Sequence, residues 1–328
     1  MNNNKEVDKF LASNTGLIYS DRGNLYYAEV LNEAESQEFI SFFDIFGSLK
    51  KKIYLGKRES IKAVAATKKT ISRPIIKPQI FEEDFHSICK SIEKKFIIKA
   101  LWYNSYKTYF NKSQFQDLIK NALNSFSSHL LIFWDGDFLS ITNTPEVLFE
   151  QKAPNNFTTD CIAATALVAD ELKNDKFIRE HRNVETNLLK KIKMITNEYQ
   201  ISQKKIISYS NYFHYKSDIS FNSSMSLDKL ISSLAPTSAI FGDPTERVKE
   251  ICGSLEYYQE NPSPLYGGPV LINQGDTTKA LINIRNLTVN MGVAQIITGC
   301  GIVRGSTYSS ELNESRLKME SVLEFVCG

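Results

Sequence analysis

The chain has 328 residues, 42% of them hydrophobic, which is enough for a sizeable core and argues against disorder. Lys and Arg total 39 against 37 Asp and Glu, and a net charge of +2 argues against a protein held to nucleic acid mainly through phosphate contacts. The five cysteines (Cys89, Cys161, Cys252, Cys300, Cys327) stand far apart, with no CxxC pair or Cys/His cluster to suggest zinc or a disulfide framework; no apolar run is long enough to span a membrane, and the stretch beginning Met1-Asn2-Asn3-Asn4-Lys5 has no apolar leader, so a cytoplasmic protein is expected.

In chain order, residues 17–19 and 25–27 flank Asp21-Arg22-Gly23-Asn24, a hairpin signal. Residues 92–103 open as a polar helix end and become the apolar run 96–103, which Lys99 interrupts. Phe115, Leu118, Ile119 and Leu123 fall at helical spacing, so an amphipathic helix is predicted over 113–126. Residues 129–133 and 138–141 flank Trp134-Asp135-Gly136-Asp137, a hairpin with an Asp-Gly turn, and 146–149 continue as strand. From 170 to about 197 the pattern turns helical, with Phe177, Val184, Leu188, Ile192 and Ile195 as its apolar stripe. A short helix is predicted over 226–234. Another is predicted from Asp243 as N-cap, with Pro244 in the first turn, to about Tyr258. Residues 266–272, 279–287 and 289–297 read as a meander of strands, followed by a helix that Ser309 or Ser310 can cap. Hairpins interspersed with long helices predict an α+β fold with largely antiparallel sheet. No strand–helix unit carries a glycine fingerprint, so a dinucleotide fold is not expected.

Several residues carry chemistry beyond this pattern. Glu311, Glu314 and Lys318 share one helix face; they form either a solvated Glu-to-Lys pair or part of a site. Glu180 lies on the core-facing stripe with Phe177 and Val184, where an unpaired charge is costly, so it needs a partner. Carboxylates from two facing helices could share Mg²⁺, which prefers oxygen ligands. His181 reads as a structural hydrogen-bonder. Arg285, late in a strand, either meets water or grips a carboxylate with its fork. Gly299 and Gly301 permit close backbone approach by an anion, or mark only a bulge. Cys300 between them lacks the histidine that a nucleophile needs. Lys99 and Glu146, each at an apolar strand, could serve as base and acid.

The order of these pieces resembles the chorismate-utilising enzymes: isochorismate synthase, salicylate synthase, anthranilate synthase and aminodeoxychorismate synthase. Thr144-Pro145-Glu146 resembles the family's Ser-Pro-Glu, and Ile162-Ala163-Ala164-Thr165 its Ala-Gly-Thr turn. Lys176 with Glu180-His181 resembles its Lys-x-x-x-Glu-His helix. Pro236-Thr237, Gly242 and Pro244 resemble its Pro-Thr-Pro-Ala…Gly-x-Pro segment. Leu265-Tyr266-Gly267-Gly268, Ile284-Arg285, Gly299-Cys300-Gly301-Ile302-Val303 and Glu311-x-x-Glu314-x-x-x-Lys318 complete the series. The resemblance is clear from about Thr144 to Glu324 and fades toward the N-terminus.

That resemblance implies one large α+β domain of two mainly antiparallel sheets packed face to face, helices outside and the site between them. Residues 1–90 would be a divergent N-terminal part and 91–328 the catalytic core. Glu180 and Glu314 would hold Mg²⁺, with Glu311 beside them, and the metal would hold the ring carboxylate of chorismate. Arg285, the backbone of Gly299 and Gly301, and Tyr266 would hold the enolpyruvyl carboxylate, with Lys318 and Thr165 completing the pocket. Glu146 matches the acid that protonates the departing 4-hydroxyl. Lys99, with Lys95 as fallback, matches the base that activates water for attack at C2. Members that add water carry such a lysine, and aminodeoxychorismate synthases carry one in the turn matched by residues 162–165, where this chain has none. An isochorismate synthase is therefore expected, an isomerase with no glutamine amidotransferase subunit, acting as a monomer or homodimer. Salicylate synthase, which goes on to eliminate pyruvate, and a non-catalytic chorismate binder stay open, as does the siderophore, menaquinone or other aryl product downstream. The chain departs from the pattern at Ala235 (usually His), Ser238 (the second Pro), Ala164 (the turn Gly), Phe177 (often acidic) and Leu271 (a Gly).

Overall fold

The computed structural model describes residue 10 and residues 15–21, 23–61, 71–135, 138–166, 168–209, 212–262 and 264–328. Arg22, Gly136 and Asp137 of the two expected turns, and residues 1–9, lie outside these.

Strands β1 (Gly16–Asp21), β2 (Asn24–Ala28), β3 (Val30–Leu31), β4 (Phe39–Phe43), β5 (Leu49–Leu55), β6 (Glu59–Ile61) and β7 (Lys77–Ile80) lead to helix α1 (Glu82–Glu93). Strand β8 (Lys99–Tyr109) and helix α2 (Phe115–Ser125) precede β9 (His129–Trp134), β10 (Phe138–Thr144), β11 (Val147–Ala153) and β12 (Asn156–Ala166). Helix α3 (Asp175–Ile195) is followed by β13 (Tyr199–Ile201), β14 (Lys205–Tyr209), β15 (Tyr212–Asn222), helix α4 (Leu227–Leu234), β16 (Gly242–Asp243) and helices α5 (Thr245–Cys252) and α6 (Glu256–Glu260). Strands β17 (Pro269–Gln274), β18 (Thr277–Ile282), β19 (Asn286–Asn290) and β20 (Val293–Val303) end in helix α7 (Tyr308–Cys327).

One sheet runs β16-β8-β20-β19-β10-β9-β1-β2-β6, with β7 also on β8; the other runs β13-β15-β12-β11-β18-β17-β4-β5-β3, with β14 on β15. Neighbours pair antiparallel, so the chain is α+β, as its hairpin signals predict. The sheets meet through Leu17, Tyr19 and Phe133 of the first and Ile40, Phe42, Val270 and Leu281 of the second. Helix α2 buries the predicted stripe (Phe115, Leu118, Ile119, Leu123) with Val322 and Val326 of α7 on the outer face of the first sheet. Burying each such side chain contributes about 1.5–3 kcal/mol.

Two corners position the site. The chain leaves the first sheet at Thr144 and enters the second at Val147 across Pro145 and Glu146; it returns from Ile282 to Asn286 across residues 283–285. The corners are bonded to each other. Ile282 N–H donates to the Glu146 carbonyl (3.0 Å), Asn143 N–H to the Arg285 carbonyl (3.3 Å) and Thr142 Oγ1 to Asn283 Oδ1 (2.9 Å). Two distant segments thus bring Glu146 and Arg285 to one cavity.

The structure departs from the sequence reading at several boundaries. Arg285 stands in a corner with φ +51°, not in a strand, because the chain changes sheets there. Gly299 and Gly301 lie inside extended β20 in unbroken register with β8, so they mark no bulge, and Tyr266 lies in the turn before β17. Helix α7 begins two or three residues earlier than expected, capped by Thr307, whose Oγ1 accepts from Ser310 N–H (3.4 Å). Asp243 belongs to edge strand β16, paired with Lys99, so Pro244 takes the N-cap position of α5. That helix stops at Cys252, and α6 begins anew where Asp84 accepts hydrogen bonds from the Glu256 and Tyr257 N–H groups (2.7 and 2.9 Å).

Candidate active site

A cavity of about 210 Å³ is bordered by Lys99, Glu146, Glu180, Tyr266, Arg285, Gly299, Gly301, Glu311, Glu314 and Lys318. The candidate site residues whose side chains are described, from Lys99 to Lys318, therefore border a single space. Thr165 pairs through its backbone with His214 on β15, and its side chain lies outside the described residues. Lys95, the alternative to Lys99, sits in the turn after α1 with φ +58° and does not border the cavity.

Strand β20 builds one wall by alternation. Ile297, Gly299, Gly301 and Val303 border the cavity, while Cys300 and Ile302 are buried on the other side. The two glycines make room for β8. A Cβ on Gly301 would come within 2.9 Å of Lys99 Cε, and one on Gly299 within 3.0 Å of Leu101 Cδ2. The Gly299 N–H donates to the Tyr266 hydroxyl (3.2 Å), which burial pushes up to about 12. Lys318 Nζ donates to the Gly299 carbonyl (2.7 Å) and lies 2.7 Å from Glu314 Oε1. Burial alone would lower its ammonium, but Glu314, Cys300 and Tyr266 outweigh that and hold it above its ordinary value.

Glu146 and Lys99 border the same cavity. Glu146, 8% exposed, accepts a hydrogen bond from Thr237 Oγ1 (3.3 Å). Burial raises its carboxyl to about 7, against the lowering effect of Thr237 and Lys99. It therefore holds a proton near neutrality and can release it to a departing group. Lys99, also 8% exposed, opens β8 and places its Nζ 3.4 Å from Glu180 Oε1, which supplies the partner that the stripe of α3 requires. His181 turns away; its Nε2 lies 3.3 Å from the Cys161 carbonyl, a structural role.

Among the described residues, Glu311, Glu314 and Cys300 bring one ligand atom each within 4.8 Å of one another; Glu180 borders the same cavity but is not part of that group. The donor set fits a hard divalent cation through its carboxylates. The Cys300 thiol, which burial pushes up to about 12, donates its Sγ–H to the Glu311 carbonyl (3.5 Å), and a soft sulfur suits a hard cation less than the two carboxylates do.

Sequence reasoning missed two residues here. His214 borders the cavity, and burial with Arg285 nearby holds its imidazole down at about 4, so it is neutral. Nothing in its strand sequence marks it. Thr237 belongs to the Pro-Thr motif, but its bond to Glu146 spans 91 positions. Ala164, standing at the expected turn glycine, is buried in β12 at a register shift with φ +64°, so its methyl sits in the left-handed region and borders the cavity.

No described helix is long and apolar enough to cross a membrane. The chain is 28% identical over 194 residues to isochorismate synthase 2, chloroplastic, of Arabidopsis thaliana, which covers 55% of this chain and 34% of that protein. It is 26% identical over 219 residues to anthranilate synthase component 1 of Neisseria meningitidis serogroup B (60% and 43%). The chain thus spans well under half the length of these curated relatives. Its fold matches MenF, the menaquinone-specific isochorismate synthase from Escherichia coli, with a TM-score of 0.79 at 13% identity, covering 98% of this chain and 91% of that one. Residues 31–327 match the family model described as chorismate binding enzyme, and the chain belongs to that family.

Proposed function

We propose that the protein is an Mg²⁺-dependent isochorismate synthase, converting chorismate to isochorismate. The observation that carries this reading is a buried acid, Glu146, and a lysine, Lys99, bordering one cavity with an arginine and three further carboxylates. In its neutral form Lys99 takes a proton from water as the water oxygen bonds to C2. The ring double bonds shift, the C4–O bond breaks, and Glu146 gives its proton to the departing hydroxyl. One hydroxyl is gained and one lost, so the reaction is an isomerisation. Arg285, beside the Gly299 and Gly301 backbone, Tyr266 and Lys318, orients the enolpyruvyl carboxylate. Glu311 and Glu314, with Glu180 across the cavity, would hold the metal, which supplies a positive charge for the ring carboxylate. The N-terminal strands β1–β6 extend both sheets, which supports reading 1–328 as one chorismate-binding unit.

The similarity to anthranilate synthase component 1 favours a second reading, in which ammonia replaces water as nucleophile. Purified protein incubated with chorismate and Mg²⁺, with and without ammonium, separates the two by liquid chromatography. Isochorismate formed without ammonium supports the proposal. Salicylate with pyruvate would extend it by an elimination, and product formed only with ammonium would overturn the role given to Lys99.

A further inference from the structure

We infer that a second cavity beside the first, of about 220 Å³, binds a small carboxylate with an apolar or aromatic body. It shares Lys99, Glu180 and Val303 with the first cavity, so the Lys99–Glu180 pair forms part of the wall between them. Its charges do not balance internally. Lys99 is matched by Glu180 (3.4 Å), and Asp243 accepts from Asn187 Nδ2 (3.3 Å). Arg179 and Arg304, both exposed at the border, make no ion pair or hydrogen bond among the described residues. Two guanidiniums without a carboxylate are suited to a bidentate grip on one from outside the protein.

A second, independent feature lies at Ser238. This residue is 3% exposed and borders the cavity, and its Oγ has no hydrogen-bond partner among the described residues. A buried hydroxyl left unpaired is unfavourable, and a turn of its side chain toward the cavity would let a ligand oxygen complete it. Proline at this position would offer no hydroxyl, so the feature belongs to this chain's own sequence. Ile98 and Val184 add apolar surface, which favours a carboxylate on an apolar body over a bare inorganic anion. The inference rests on this geometry and not on which reaction the first cavity performs.

Benzoate is the probe, titrated calorimetrically into the Arg285→Ala variant so that the first cavity loses its carboxylate fork. Saturable binding is expected there. It should weaken at least about tenfold when Arg179→Glu and Arg304→Glu are added, and likewise with Ile98→Asp. All three positions are exposed, and Ile98 is 55% exposed, so the fold should persist, as circular dichroism will check. Chorismate added to the benzoate-loaded protein identifies the source of the ligand: displacement assigns the site to substrate on its way in, and no displacement to a separate carboxylate. Absence of saturable binding, or affinity unchanged both by the paired arginine reversals and by Ile98→Asp, would overturn the inference. Inorganic phosphate binding as tightly as benzoate would overturn the ligand class.

Discussion

Replacing Glu146 with Gln should make the protein more stable and nearly inactive. The change is isosteric and keeps an oxygen to accept from Thr237. Burial raises the Glu146 carboxyl from its ordinary 4.5 to about 7. Between those values the folded state holds a proton that the unfolded state has lost, so stability falls as pH rises through that window and is fully present only below it. At about 1.4 kcal/mol per pH unit, the buried carboxylate costs the wild-type protein about 3 kcal/mol by pH 8, an order-of-magnitude figure. Glutamine carries no such cost. Denaturant unfolding of both proteins at pH 4.5 and pH 8 isolates this group, because other titrations cancel in the difference. The variant should gain about 3 kcal/mol on the wild type between the two pH values. Its turnover of chorismate should fall by about 10²-fold or more. A stability difference independent of pH would refute the buried, proton-holding carboxyl, and near-normal turnover would remove Glu146 from the chemistry.

Wild-type turnover should decline as pH rises above about 7, where Glu146 loses the proton it must donate, and a pH–rate profile flat to pH 9 would contradict this. Gly301→Ala would place a methyl 2.9 Å from Lys99 Cε and push the amine aside; turnover should drop about tenfold or more with the unfolding midpoint little changed. Ala164→Gly relieves the left-handed backbone at φ +64° and should raise stability by about 1 kcal/mol in a urea titration, whereas a loss would show that the methyl's packing outweighs the strain. Lys279, 2% exposed, lies 2.8 Å from Asp21 and ties the two sheets together; Asp21→Asn should cost about 3–5 kcal/mol on urea unfolding, and a change under 1 kcal/mol would mean water reaches the ammonium.

The candidate site residues were legible because each stands out from its local pattern. Lys99 interrupts an apolar run, Glu180 breaks a helix stripe, and Glu311, Glu314 and Lys318 recur on one face. What periodicity could not reveal is where the chain changes sheets. Residues 279–287 alternate as one strand, yet β18 and β19 lie in different sheets, and the corner that turns Arg285 toward the cavity exists only through bonds to a segment some 140 positions earlier. The glycines of β20 left an anion site and a bulge both open for a related reason. Their need is set by Lys99 and Leu101 on the neighbouring strand, a contact that no local pattern encodes. Cap positions at Thr307 and Pro244 shifted by a residue or more because several adjacent residues could serve, and tertiary pairing of Asp243 with Lys99 decided one of them.

The central claim is that water, activated by Lys99, adds at C2 while the C4 hydroxyl leaves with the proton of Glu146. Turnover of chorismate in ¹⁸O-labelled water, with the product analysed by mass spectrometry, tests it most directly. The account predicts isochorismate carrying one ¹⁸O, on C2, and none at C4. An unlabelled isochorismate, its hydroxyl moved within the molecule, would contradict it.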